Sequence, residues 1–434
     1  MTFSIKTFFS RLSKSQLARD SLWAVCGNGL GYGLLLLSGI VIARFLGRDI
    51  YGEYGLVKTT MLYIAGFATF GLGVSSTKFI ANALVSEPRN VRAIAQEAMR
   101  ITLAFSATLA AAMFLAAEPL SAFLGTPSLS QAFRVLGLII VCKALNTTQN
   151  GILAGFGCFS LIARNNVISG ALMLLSCAPL TWGFGLDGAF ASLLASQALN
   201  VILNHVNIRK KLRSLKDQRS YRCRKKLIAF SFPIAVQELN YTLCNWGAVI
   251  LLTKFSSVGQ VGIYTATSQW IGIITFIPVL LNNVILSHLS ASVGNRDRHS
   301  HTLRTMLGVN LISTLVPFAV ISLLAGWIAG FYGPTFKEMG GVLRVMTIAT
   351  IFISCSNVFY SELIARGLNW LLFGCRVAQD AVLLLLSWWL LTSDGAIQGA
   401  MAYAIAFDVA AAVFLISLWL SSSLQKTDSA HACC

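Results

Sequence analysis

Twelve apolar segments, each long enough to cross a bilayer, follow one another along this chain with short polar breaks between them. They lie near 22–43, 54–76, 98–120, 132–156, 161–183, 185–206, 228–253, 261–286, 305–331, 341–363, 368–391 and 395–421. A hydrocarbon core about 30 Å thick needs about 20 helical residues to cross it. Backbone inside lipid must satisfy its own N–H and C=O groups, so the choice lies between helices and closed barrels. Barrel strands alternate apolar and polar residues in segments of about ten, whereas these runs are continuous. An all-α integral membrane protein of about twelve transmembrane helices is therefore expected. Only 11% of the 434 residues are charged, against roughly 25% in soluble proteins. That is too little polarity to cover a water-facing surface.

The net charge is +17. On a soluble domain it would point to nucleic acid. Here the basic residues crowd alternate connections, so orientation explains them and no nucleic-acid partner is expected. Lys6, Arg11, Lys14 and Arg19 precede the first span, and Lys78, Arg89, Arg92 and Arg100 flank the second connection. The stretch 209–226 holds ten Lys or Arg against Asp217 alone. On the opposite side Arg44 and Arg48 are balanced by Asp49 and Glu53. The bias predicts a multi-pass protein with both termini in the cytoplasm. Residues 1–20 lack a signal-peptide core and read as a basic amphipathic segment on the membrane surface. The ten cysteines are scattered, without zinc-site spacing. No metal or cofactor is expected.

The basic stretch also marks the division into domains: a cytoplasmic segment 1–20, a bundle 21–206, a linker 207–226, a bundle 227–421 and a tail 422–434. An offset of 210 residues lays Phe45, Gly52, Tyr54 and Gly157 on Phe255, Gly262, Tyr264 and Gly367. Each repeat has an even number of spans, so the two run in the same direction. The expected fold is two pseudo-symmetric six-helix bundles around a central cavity.

A charge at the bilayer centre costs about 2.5–3.5 kcal/mol on insertion scales, so each one needs a partner, a wet cavity or a function. The fourth span, "FRVLGLIIVCKALNTTQNGILAG", places Lys143, Asn146, Thr147 and Asn150 on one helical face. Interhelical hydrogen bonding would account for the amides but poorly for the lysine, so a cavity-lining role is expected. Lys58 near the start of the second span joins this cationic group, although a lysine there can also snorkel. The second half carries the acids. Glu238, Tyr241 and Asn245 share a face of the seventh span, Arg376 and Asp380 stand four apart, and Asp408 lies near mid-span. Lys143, Asn146, Thr147, Asn150, Lys58, Tyr241 and Asn245 are the candidate substrate-binding residues. Glu238, Asp380, Asp408 and Arg376 are candidates for coupling to an ion or proton gradient, with Arg376–Asp380 also explicable as a neutral pair. No catalytic constellation of Ser, His and Asp is present. His205, His288, His299 and His301 read as solvated loop residues.

The segments "RFLGRDIYGEYGLVKT", "FGLGVSSTKFIA", "QNGILAGFGCFSLIARNNVISG", "AFSFPIAVQELNY" and "VGQVGIYTATSQW" resemble the polysaccharide-transporter branch of the multidrug/oligosaccharidyl-lipid/polysaccharide exporter superfamily. Within that branch the O-antigen (Wzx-type) flippases are similar in size. The resemblance implies a bacterial inner-membrane flippase and not an enzyme. Its substrate would be a polyprenyl-pyrophosphate-linked oligosaccharide, moved from the cytoplasmic to the periplasmic leaflet by alternating access. Membrane lipids and the polymerase and assembly proteins of a polysaccharide pathway would be its partners. The rival readings are a cation-coupled drug antiporter of the same superfamily and a membrane polymerase or glycosyltransferase. The cationic first half speaks against the former, and the short loops speak against the latter.

Overall fold

The computed structural model describes residues 16–213, 215, 223–290, 296–393, 397 and 399–431. Residues 1–15 of the basic segment, 216–222 of the linker and 432–434 of the tail lie outside the described residues. Among those described, all regular structure is helical. In chain order the helices are α1 (Gln16–Ala68), α2 (Leu72–Ser86), α3 (Val91–Phe123), α4 (Ser130–Gly155), α5 (Phe159–Arg213), α6 (Arg224–Phe255) and α7 (Val258–Ile274). They continue as α8 (Phe276–Ser290), α9 (Arg296–Leu323), α10 (Ala325–Tyr332), α11 (Met339–Met346), α12 (Ala349–Ala365), α13 (Asn369–Thr392) and α14 (Gly399–His431).

Two of these helices are really pairs. Gly47 (φ 73°) interrupts α1 and Gly185 (φ 55°) interrupts α5. Only glycine takes such angles without strain. An unbroken helix of 55 residues would be about 80 Å long, more than twice the hydrocarbon thickness. The rods are thus 16–46 and 48–68, then 159–184 and 186–213. Among the described residues, eight helices are long and apolar enough to cross a membrane. Counting the two double helices as pairs makes ten. The polar α6 adds one, and α7 with α8, two halves of a rod interrupted at Thr275, adds the twelfth.

The ninth rod differs from its expected limits. It ends at Leu323 instead of near 331, and α10 follows as a separate short helix. With 28 residues, α9 already crosses the membrane. The break falls between apolar residues on both sides, so hydropathy alone could not locate it. Gly333 (φ 108°) and Pro334 then end α10.

The chain packs as two compact units, Met1–Phe45 with Val57–Leu243, and Leu46–Leu56 with Cys244–Cys434. In the first unit α4 packs on α2, α3 and α5. A Cβ on Gly151 would lie 2.0 Å from the Gly73 carbonyl oxygen, so α2 and α4 meet backbone to backbone. Thr77 Oγ1 donates to the Gly151 carbonyl across that contact at 2.9 Å. The second span bends between α1 and α2, where Phe70 holds φ at 52°. A bulky side chain rarely adopts such an angle. Thr69 Oγ1 secures the bend by accepting from the Gly71 N–H at 3.2 Å and donating to the Gly66 carbonyl at 2.8 Å.

The 210-residue repeat recurs in the backbone itself. At the end of α4, Cys158 N–H reaches the Leu153 carbonyl and Gly157 N–H the Ala154 carbonyl, each at 2.9 Å. At the end of α12, Leu368 and Gly367 repeat both bonds to Leu363 and Ile364 at 3.0 and 2.9 Å. Gly157 (φ 70°) and Gly367 (φ 78°) occupy the left-handed position of the two turns. This is the Schellman pattern of a helix stop.

The second unit contains a contact that is its own image under the same offset. A Cβ on Gly52 would lie 1.9 Å from the Val258 carbonyl oxygen, and one on Gly262 would lie 2.3 Å from that of Arg48. Val258 and Gly262 each lie 210 positions beyond Arg48 and Gly52. The flanking contacts, Gly55 with Thr265 and Gly259 with Asp49, also join positions separated by 210. At Gly52 and Gly262 the segment 48–55 thus crosses the start of α7 backbone to backbone, with side chains of Asp49 and Thr265 packed on the flanking glycines. Forcing a methyl group into such a contact costs about 1–3 kcal/mol. Gly52→Ala and Gly262→Ala are each expected to lower the apparent Tm of the purified protein by several degrees. Gly272→Ala, where a Cβ meets nothing within 4 Å, should leave it unchanged.

Candidate functional site

In the first unit the polar residues of α4 and α5 form one hydrogen-bonded network. Asn204, with no exposed surface, is its hub. Its Oδ1 accepts from Asn165 Nδ2 at 2.8 Å. Its Nδ2 lies 3.0, 3.0 and 3.1 Å from the Oδ1 atoms of Asn146, Asn150 and Asn200. Two N–H groups thus serve three acceptors. Asn200 Nδ2 reaches Asn166 Oδ1 at 3.0 Å and Ser169 Oγ at 2.9 Å. Asn166 in turn donates to Asn28 at 2.9 Å, and Asn146 donates to Gln197 Oε1 at 3.4 Å. Four rods, 16–46, α4, 159–184 and 186–213, are cross-linked in this way. The signal was available in the sequence. Gln197, Asn200, Asn204 and Asn207 recur at helical spacing on one face, as the stripe on α4 does.

The structure divides the α4 stripe. Asn146 is buried and Asn150 half-buried, and both turn into the network. Thr147 is exposed and donates to the Lys143 carbonyl at 3.0 Å. Lys143 is half-buried, and among the described residues no acid pairs with its ammonium. Lys58 is half-buried on the rod 48–68. The same rod receives the polar face of α6. The Glu238 carboxylate comes within 3.3 Å of where a Gly66 Cβ would sit. The Tyr241 ring stands edge-on to Tyr63 at 5.9 Å, and Thr242 Oγ1 donates to the Tyr63 carbonyl at 2.9 Å.

The remaining expected residues belong to the second unit. Asn245 is buried. Arg376 Nε lies 3.7 Å from Asp380 Oδ1, and its guanidinium stacks over Phe414 at 5.7 Å. Asp408 is half-buried on α14, and its Oδ1 accepts the Ala349 N–H at 2.9 Å. Ala349 opens α12 just after α11 ends, so the carboxylate caps the first turn of a helix restarted within a span.

One buried charge cluster escaped the sequence reading. Glu362 has no exposed surface, and its Oε1 accepts from Arg366 Nη2 at 2.6 Å and lies 3.2 Å from His299 Nε2. Its Oε2 accepts from Ser422 Oγ at 2.8 Å. This corrects the expectation for His299, which is buried on α9 and not a solvated loop residue. Its partner lies 63 positions away, so no local spacing announces it. The Glu362–Arg366 spacing of i, i+4 was the one legible sign. His205 and His301 are exposed, and the His288 side chain lies outside those described. Among the described residues no group of three or more His, Cys, Asp or Glu is placed to hold a metal.

Residues 17–290 match the family of polysaccharide biosynthesis proteins. The succinoglycan biosynthesis transport protein ExoT of Rhizobium meliloti (strain 1021) is 22% identical, over 89% of this chain and 74% of its own length. The Lipid III flippase of Escherichia coli (strain K12) is also 22% identical, over 92% of this chain and 98% of its own. Among solved structures, an inward-facing multidrug resistance MATE transporter of the MOP superfamily superposes with a TM-score of 0.80 at 17% identity, covering 92% of this chain and 95% of that one. The lipid II flippase MurJ in an inward closed conformation superposes with a TM-score of 0.76 at 14% identity, covering 93% and 87%. The fold is that of these transporters.

The Glu362 cluster generates a stability test. Removing one partner of a buried ion pair costs about 3–5 kcal/mol, whereas replacing both by apolar groups is often neutral. Arg366→Leu is expected to lower the yield and apparent Tm of the folded protein sharply. The double variant Glu362→Leu/Arg366→Leu should recover most of that loss in the same thermal-unfolding measurement.

Proposed function

The chain belongs to the polysaccharide biosynthesis protein family, and we propose that it is a multi-pass inner-membrane flippase for a polyprenyl-pyrophosphate-linked oligosaccharide. The unit moves from the cytoplasmic to the periplasmic leaflet by alternating access. The physical problem sets the requirements. Sugar hydroxyls and a pyrophosphate do not cross hydrocarbon unaided, while the polyprenyl tail can remain in the bilayer. The protein therefore has to supply cationic and hydrogen-bonding groups at membrane depth for the head group alone.

The observation that carries this reading is Lys143, half-buried on α4 with no acid paired to it among the described residues. An ammonium held within a span without a counter-charge is costly, and a bound pyrophosphate supplies that charge. Lysine grips phosphate as a point charge. The amide network holds α4 and thereby fixes where Lys143 stands, with Asn146 and Asn150 acting through this positioning. Lys58 adds a second cation, and Thr147, Tyr241 and Asn245 supply groups suited to hydroxyls. O-antigen-type repeat units fit this chemistry. The names of the relatives, a succinoglycan transport protein and a Lipid III flippase, support a lipid-linked or polymeric saccharide cargo. Cation export by a drug antiporter is less well served, because Lys143 and Lys58 would repel such cargo.

Reconstituted proteoliposomes carrying a fluorescent lipid-linked oligosaccharide provide the test. Loss of a charge-assisted contact is worth about tenfold or more, so Lys143→Ala should slow flipping by that factor. Lys143→Arg, which keeps the charge, should retain a large part of the rate. Undiminished flipping by Lys143→Ala would remove the gripping role. Transport of a cationic dye in place of the lipid-linked sugar would favour the antiporter.

A further inference from the structure

At the end of the second unit where α6 passes into α7, a cavity of about 730 Å³ opens between the starts of α7, α11 and α14 and the end of α13. Its walls include Phe255, Ser257, Gln260, Glu338, Thr392 and Ser393. All of them lie in one unit, and none belongs to the site described above. Small-molecule sites commonly measure about 300–1,000 Å³.

The cavity is braced by the Gln260 amide. Gln260 Nε2 donates to Glu338 Oε2 at 2.9 Å, and Gln260 Oε1 accepts the Ala400 N–H at 3.0 Å. Gly399 (φ 61°) lets the chain pass so close that a Cβ there would meet Gln260 Cδ at 2.6 Å. Arg48 is shared between two carboxylates, its Nε 3.5 Å from Asp49 Oδ1 and its Nη1 3.8 Å from Glu338 Oε2.

What the walls offer a ligand follows from which protons are already used. Thr392 Oγ1 donates to the Trp388 carbonyl at 2.7 Å, and Ser393 Oγ donates to the Leu390 carbonyl at 3.1 Å. A hydroxyl whose proton is committed presents only lone pairs. Both sites therefore accept, as does the carboxylate of Glu338. Ser257 Oγ accepts from the Gln260 N–H at 3.3 Å, which leaves its proton for a ligand. Phe255, 47% exposed, adds an apolar ring. Ser256, also in the wall, and the second N–H of Gln260 Nε2 add donors, so the walls mix donors and acceptors around one carboxylate and include one aromatic ring. A phosphate, which is anionic and only accepts, is poorly served beside the Glu338 carboxylate and the two lone-pair hydroxyls. A pyranose, with many O–H donors and an apolar C–H face, is well served.

We propose that this cavity binds neutral sugar residues of the translocated glycan, a second subsite separate from the cationic grip on the pyrophosphate. The proposal rests on the flippase reading for its biological role. On that reading the cavity lies at the end opposite the basic connections and receives sugars as the head group leaves.

The full chain in detergent micelles is tested by saturation-transfer NMR. The probes are the methyl glycosides of glucose, galactose, mannose and N-acetylglucosamine, with inorganic pyrophosphate as competitor. At least one glycoside should receive saturation, and pyrophosphate should not displace it. Thr392→Val/Ser393→Ala should weaken binding about fivefold or more, and Phe255→Ala should weaken it as well. Saturation of no glycoside, displacement by pyrophosphate or unaltered binding by these variants would overturn the proposal. The two readings separate cleanly in the flipping assay. If the wild-type chain flips lipid-linked oligosaccharide but binds no glycoside, the subsite fails and the flippase stands. If it flips none yet binds a glycoside through Thr392 and Ser393, the flippase fails and the sugar site stands.

Discussion

Lipid gives apolar helices no hydrophobic reward for meeting, because the acyl chains are as apolar as leucine. Contacts between helices then rest on van der Waals packing, tightest where backbones approach closely, and on polar groups that lipid cannot satisfy. The two units use both means in different proportions. In the second, Gly52 and Gly262 bring two helices into direct backbone contact. In the first, Gly73 and Gly151 do the same for α2 and α4, and asparagines bind four rods together. An asparagine stripe facing lipid would strand its amides, so the network gives the helices a strong preference for this one arrangement.

Much of this was legible in the sequence because it depends on local composition. Length of apolar run sets the number of rods, and glycine at Gly47, Gly157, Gly185 and Gly367 sets where rods end or break. The offset of 210, visible as a few shared residues, returns as matching Schellman bonds after α4 and α12 and as a self-imaged crossing. What stayed hidden depends on partners far along the chain. A polar stripe on an apolar helix has the same periodicity whether it faces a cavity or another helix. Asn146 and Asn150 therefore looked like lining residues, while the side chains they meet, Asn204 and Gln197, went unnoticed on the sixth rod. Glu362 and His299 show the same limit. The bend at Phe70 was hidden for a different reason, since nothing in that side chain announces a positive φ.

The repeats share a backbone plan but not its chemistry. Glu362 lies in the last turn of α12 and Arg366 caps it, and the positions 210 earlier, at the end of α4, are Ile152 and Phe156. The same helix stop thus carries an ion pair in one unit and an apolar contact in the other. The reverse holds at Lys143 and Asn146, whose counterparts 210 later are Ile353 and Ser356. Gene duplication would leave the fold symmetrical and allow the charges to diverge. On the proposed flippase reading such divergence has a use, because an anionic pyrophosphate and a neutral glycan need different recognition.

The proposed coupling residues of the second unit differ in what already neutralises them. Arg376 and Asp380 neutralise one another, as do Glu362 and Arg366. A carboxylate already balanced by a guanidinium gains little from a proton, so these pairs are better suited to a structural role. Asp408 differs in that its bond goes to a neutral backbone N–H at the restart of α12. That N–H stabilises the anion through the helix dipole, and adding a proton would weaken the cap. One positive charge moving through 100 mV releases about 2.3 kcal/mol, enough to shift a two-state equilibrium severalfold. Between the two acidic coupling candidates of the second unit, Asp380 and Asp408, it is Asp408 whose protonation would act directly on an interrupted helix, where a small change in capping can alter the geometry of a whole span.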